Sequence, residues 1–117
     1  MNKAEWAERI RKSCEDAGTY KPYFDDVIAT LASILERRDA AEADWNGETI
    51  VEHTNRGGVT NKEQNPSLRL INDLNRDALM YWKELGLTPA ALKKINETAM
   101  QAHKKESALE KALKSIV

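Results

Sequence analysis

Residues Asn65 to Pro89, NPSLRLINDLNRDALMYWKELGLTP, leave this chain little freedom in how its middle folds, because they write out a helix, its end and the next helix's start. Asn65 suits the N-cap and Pro66 the first turn, where its missing N–H is not needed. Gly86 suits the left-handed stop, and Thr88-Pro89 repeats the start signal. Between these marks Leu68, Ile71, Leu74, Ala78, Trp82 and Leu85 hold one face, widened by Leu70, Leu79 and Tyr81. The stretch therefore predicts one helix of about six turns, closed by a tight corner.

The other elements are read outward from this one. Asn2 caps a first helix along which Trp6, Ile10, Cys14 and Ala17 recur about every fourth position, ending at Gly18. Tyr23, Phe24, Val27, Ile28, Leu31, Ile34 and Leu35 then form a face wide enough for two neighbours, so the second helix organises the core. It continues through ERRDAAEADWNG to about Asn46, where Gly47 stops it. Glu48 to Gln64 is the least helical segment. Its β-branched run and the Arg56-Gly57-Gly58 turn predict a short β-hairpin or ordered loop near 48–64, packed on a helix, paired with another subunit, or mobile. This hairpin connects the second helix to an antiparallel third. From Pro89 a fourth, amphipathic helix places Leu92, Ile95, Ala99, Ala102, Leu109, Leu113 and Ile116 at spacings of three, four or seven, interrupted by Glu106. The fold class is thus mainly α, with about four helices. Residues 1–117 form one domain, with a helical body and hairpin insertion over 1–87 and a contact helix over 88–117.

Composition fits slender helices. Leu, Ile, Val and Phe supply 23 residues and Ala alone 15 of 117, which favours close helix packing over a deep core and leaves interfaces for self-association. The formal net charge of −1 excludes a uniformly basic duplex-binding module, so any nucleic-acid contact must come from local patches. Only residues 88–117 are net positive, with 6 basic and 3 acidic side chains. No apolar run approaches the ~18 residues of a membrane span, and the first residues lack a signal-peptide core, which predicts a soluble intracellular protein.

The Asn-Pro helix start about twenty residues before Leu85-Gly86-Leu87-Thr88-Pro89 follows a polar segment with Arg56-Gly57-Gly58 and a helix ending near Trp45-Asn46-Gly47. In order and spacing, from about Tyr20 to Ile95, this resembles the P27 family of phage terminase small subunits. The resemblance implies a non-catalytic protein of the bacterial host cytoplasm. It implies assembly into a cyclic homo-oligomer, binding of double-stranded viral DNA, and delivery of that DNA to the large terminase subunit, which holds the ATPase and nuclease. Two readings from other classes compete: a helical protein–protein adaptor without nucleic-acid binding, and a small DNA-binding regulator using the Gly86 corner as a helix-turn-helix. For the second, the fit is partial, since Trp82 stands four before the glycine where the tight motif favours Ala.

No residue pattern points to catalysis or to a cofactor. His53 and His103 stand apart from any Ser, Cys or carboxylate arrangement, Cys14 is a lone structural thiol, and no phosphate loop occurs. The Asp25-Asp26 pair is explained by the positive N-terminal end of the second helix. The candidate DNA contacts are Arg56, whose following glycines let backbone approach a ligand, with Lys62, Arg69 and Arg76 nearby. The candidate oligomer or partner contacts are Leu109, Leu113 and Ile116 on the last helix.

Overall fold

The computed structural model describes residues 1–116, with the side chains of residues 1–115. Its elements are α1 (Lys3–Ala17), a 3-10 turn (Pro22–Phe24), α2 (Asp25–Asp44), β1 (Ile50–Thr54), β2 (Thr60–Gln64), α3 (Pro66–Glu84) and α4 (Pro89–Ile116).

Local chemistry sets the helix ends. The Asn2 and Asn65 side chains accept hydrogen bonds from the backbone N–H groups of Glu5 and Ser67, so each cap satisfies a donor that the first turn cannot. At the other ends, Gly18 and Gly86 take φ of +74° and +70°. There Thr19 N–H reaches the Cys14 carbonyl and Leu87 N–H reaches that of Trp82, both at 2.9 Å. These are Schellman closures, which need a residue at ease in the left-handed region. α2 stops at Asp44, short of the expected Asn46. Trp45 turns to extended backbone and its indole N–H donates to the Glu48 carbonyl at 2.8 Å, so an aromatic anchor ends the helix before Gly47.

α2 lies between α1 and α3 and runs opposite to both. Ile10 and Cys14 of α1, Ile28, Leu31, Ala32, Ile34 and Leu35 of α2, and Leu74 and Ala78 of α3 form one core that Leu85 closes at the corner. Each large aliphatic side chain buried here contributes about 1.5–3 kcal/mol. Polar ties reinforce the seams. The Asp39 carboxylate accepts from the Trp6 indole N–H at 2.7 Å, from the Arg38 guanidinium and from the N-terminal ammonium, while Lys3 N–H donates to Glu36. Arg38 also reaches the Asn75 side-chain oxygen at 3.3 Å, linking all three helices. Burial pushes Asp39 up, but the hydrogen bonds from Trp6, Arg38 and the ammonium outweigh it and hold the carboxyl below its ordinary value.

Three helices pack together, one fewer than the count of about four expected from the sequence, and the fourth is the contact helix expected over 88–117. α4 meets the body only near its start, where Ile95 lies against Gly86, and residues 93–106 and 108–115 are exposed. The hairpin leaves the opposite end of α3. Its antiparallel register pairs Ile50 with Gln64 and Thr54 with Thr60, and every hairpin side chain except the half-buried Val51 is exposed. Of the three placements expected for it, packing on a helix is therefore not found. It is held at its base, where the Asn65 amide donates to the Glu48 carbonyl and Asn65 N–H to the Thr49 carbonyl. With two projecting arms, the chain measures 89 Å along its longest axis. Its radius of gyration is 22.7 Å, against about 13 Å for a compact domain of this length. Among the described residues no helix is long and apolar enough to cross a membrane.

Leu70 and Leu79, expected to widen the buried face of α3, are about half exposed instead. Only α2 packs along this helix, so the flanks of the stripe find no second neighbour.

Candidate functional site

The basic candidates fall on the hairpin and on the face of α3 turned away from the core. At the hairpin tip the Asn55 side-chain oxygen accepts from the N–H groups of Gly57 and Val59, at 2.9 and 3.0 Å, while Gly58 N–H returns to the Asn55 carbonyl. This Asx-type turn needs the left-handed conformation at Gly58, φ +79°, and presents Arg56 at the tip. Among the described residues Arg56 has no ion-pair partner.

Lys62 is placed differently. It stands opposite Glu52 in the register, with its ammonium 3.7 Å from that carboxylate, so its charge is locally balanced. On the other face of the hairpin His53 pairs with Glu63, a carboxylate neighbour that sequence spacing did not reveal. Both pairs are more than half exposed, where an ion pair contributes at most about 1 kcal/mol. The hairpin apart from its tip therefore carries no net positive charge.

On α3, Arg69 and Arg76 are seven positions apart and hence about 10 Å apart along the same side. Both are exposed, opposite the buried Ile71, Leu74 and Ala78. Lys83 extends the line by another two turns and is also exposed, a residue that sequence reasoning passed over although the spacing of seven was there to find. Arg76 has Asp73 at 3.6 Å, and neither Arg69 nor Lys83 has an ion pair among the described residues. The four sequence candidates thus form no compact cluster. Arg56 and Lys62 lie on the hairpin, and Arg69 and Arg76 on the solvent side of α3.

Leu109 and Leu113 lie on the projecting part of α4, 62% and 57% exposed. The side chain of Ile116, the third contact candidate, lies outside the described residues. Among the described residues no group of three or more His, Cys, Asp or Glu side chains is placed to hold a metal ion. Cys14 is fully buried, and burial raises its thiol above the ordinary value, which disfavours the reactive thiolate. The surface grooves are open and shallow. One, between α1 and α2, mixes Arg11 and Lys12 with Glu15, Asp16 and Asp25 and holds no nucleophile paired with a base.

What this surface offers is exposed guanidinium and ammonium groups on a hairpin and a helix, suited to contacting a polyanion. Comparison with known proteins bears on which one. No curated protein and no solved structure shows a significant match to the chain. Residues 2–102, covering the body, the hairpin and the first half of α4, match the family described as phage terminase, small subunit. The chain belongs to that family of phage DNA-packaging proteins.

Proposed function

We propose that the chain is a P27-type small terminase subunit that binds double-stranded viral DNA as a cyclic oligomer and hands it to the large ATPase/nuclease subunit, without catalysing a reaction itself. The observation that carries the DNA reading is the exposed line of Arg69, Arg76 and Lys83 along α3, with Arg56 at the hairpin tip as a further exposed cation that has no ion pair among the described residues. A chain of net charge −1 has a weak field as a monomer. Repetition around a ring multiplies the same side chains, so that the line of Arg69, Arg76 and Lys83 recurs around the circle beside the Asp73, Asp77 and Glu84 carboxylates of the same helix. Lys62 adds to this surface once a phosphate competes with Glu52 for its ammonium.

Such contacts are mainly to phosphates, so they set affinity and its salt dependence rather than base sequence. The test is a gel-shift series on duplex DNA at several salt concentrations. The Arg56→Ala/Lys62→Ala and Arg69→Ala/Arg76→Ala pairs should each weaken binding and flatten the salt slope by about one to two. Unchanged affinity and slope in both pairs would sink the placement. No DNA binding by the wild-type protein even at low salt would favour the adaptor reading.

A further inference from the structure

We propose that α4 is a self-association helix, its occupant a second copy of α4 in parallel orientation, with Lys105, Glu106 and Glu110 setting the register. The proposal rests on the oligomeric reading above and is independent of where DNA binds. α4 is 28 residues long, about 42 Å, and residues 93–106 and 108–115 along it are exposed. In proteins such a helix owes its stability mainly to a packed apolar face. The face is present: Leu92, Ile95, Ala99, Ala102, Glu106, Leu109 and Leu113 alternate at spacings of three and four, the a and d positions of a heptad. Leu92 and Ile95 are partly used against the chain's own corner, leaving Ala99 to Leu113 open. Lys93, Lys94, Lys104, Lys111 and Lys114 lie off this seam, so the lysine-rich side faces away from it.

Charge complementarity identifies the occupant. With this seam, Lys105 takes the g position and Glu110 the e position of the next heptad. A parallel copy brings these two together across the interface, once on each side. An antiparallel copy pairs g with g and e with e, which leaves Lys105 without a carboxylate. Glu106 occupies an a position, where two copies hold like charges close together. A single polar residue there weakens association while penalising shifted alignments. Copies related by a rotation axis along the helices are parallel, as a cyclic oligomer requires.

The experiment uses the full chain and two single cysteine variants, the native Cys14 being fully buried. Under mild oxidation Leu109→Cys, at a d position, should form a covalent dimer in high yield, whereas Lys111→Cys, on the outer side, should remain mostly uncrosslinked. Sedimentation should show Glu106→Leu tightening self-association about tenfold. Lys105→Glu should weaken it about threefold, and adding Glu110→Lys should restore it. Equal crosslinking at both positions, no crosslinking at Leu109→Cys, or no restoration by the charge exchange would overturn the proposal. None of these variants touches Arg56 or α3. A normal DNA salt slope without the crosslink would therefore sink only the seam, and the crosslink without DNA binding would sink only the packaging contacts.

Discussion

The three-helix body and the two arms spend their apolar residues in opposite ways. In the body Ile10, Leu31, Leu35 and Leu85 are at most 2% exposed, whereas on α4 Leu109 and Leu113 are more than half exposed and on the hairpin Ile50 and Val59 are each 56% exposed. The body contains the residues that make the chain fold. The arms contain residues whose exposure costs nothing in the isolated fold and which become useful only when something covers them. Stability and function should therefore separate cleanly under mutation, and this separation can be attacked from either side.

The largest effect is expected at the centre of the body. Leu31 is fully buried on the helix that touches both neighbours, so Leu31→Ala should cost about 3–4 kcal/mol by urea denaturation, from lost burial and the cavity left behind. Leu109→Ala, the same truncation on α4, should cost the monomer less than about 0.5 kcal/mol. Comparable losses at the two sites would break the comparison.

Next comes the corner joining body to arm. A Cβ on Gly86 would stand 2.6 Å from Ile95 Cδ1 and 3.1 Å from Thr19 Cγ2, on backbone at φ +70°. Gly86→Ala should cost about 1–3 kcal/mol, through left-handed strain and displacement of the first turns of α4. The check is thermal denaturation beside tryptophan fluorescence, since Trp82 sits in the same closure. A neutral effect would mean that α4 is rooted somewhere other than this corner.

A smaller effect lies in the polar tie between α1 and α2. Because the folded state holds Asp39 below its ordinary value, its stabilisation is present above about pH 4 and is lost as the pH falls further through the folded value. Asp39→Asn should destabilise the protein at pH 7 and converge with the wild type in acid, once the pH has fallen below the lowered folded value. A difference that persists undiminished in acid would assign the loss to packing of the side chain instead.

How much of this was legible in the sequence depends on the range of each interaction. The caps at Asn2 and Asn65 and the closures at Gly18 and Gly86 use partners within a few residues, so they were readable directly. The hairpin was readable as well, because strand propensity on both sides of Arg56-Gly57-Gly58 leaves few alternatives. Trp6 and Asp39 are 33 positions apart, and His53 meets Glu63 only through the strand register, so neither contact leaves a local trace. Leu70 and Leu79 misled for a related reason: periodicity shows which side of a helix is apolar, while the number of neighbours available to cover it is a property of the assembled fold. For the site, individual basic residues were visible, but their division between the hairpin and the solvent side of α3, and the local neutralisation of Lys62, required the strand register and the buried face of α3.

The smallest stability effect, and the sharpest test of the arm as a functional unit, is expected at Asn55. Its side-chain oxygen holds the N–H groups of both Gly57 and Val59, so Asn55→Ala releases two donors at an exposed tip where water can replace the lost acceptor. The urea midpoint should move by less than the equivalent of about 0.5 kcal/mol, since no core side chain lies in the hairpin. Amide hydrogen exchange at Gly57 and Val59 should nonetheless accelerate. If Arg56 acts from an ordered tip, DNA affinity should fall in Asn55→Ala although every positive charge remains. If the tip serves only as a tethered charge, affinity will hold while exchange speeds up, and the contact would be electrostatic without being preorganised. A global loss above about 1 kcal/mol would instead show that the hairpin contributes to the stability of the body and would end the separation between body and arms.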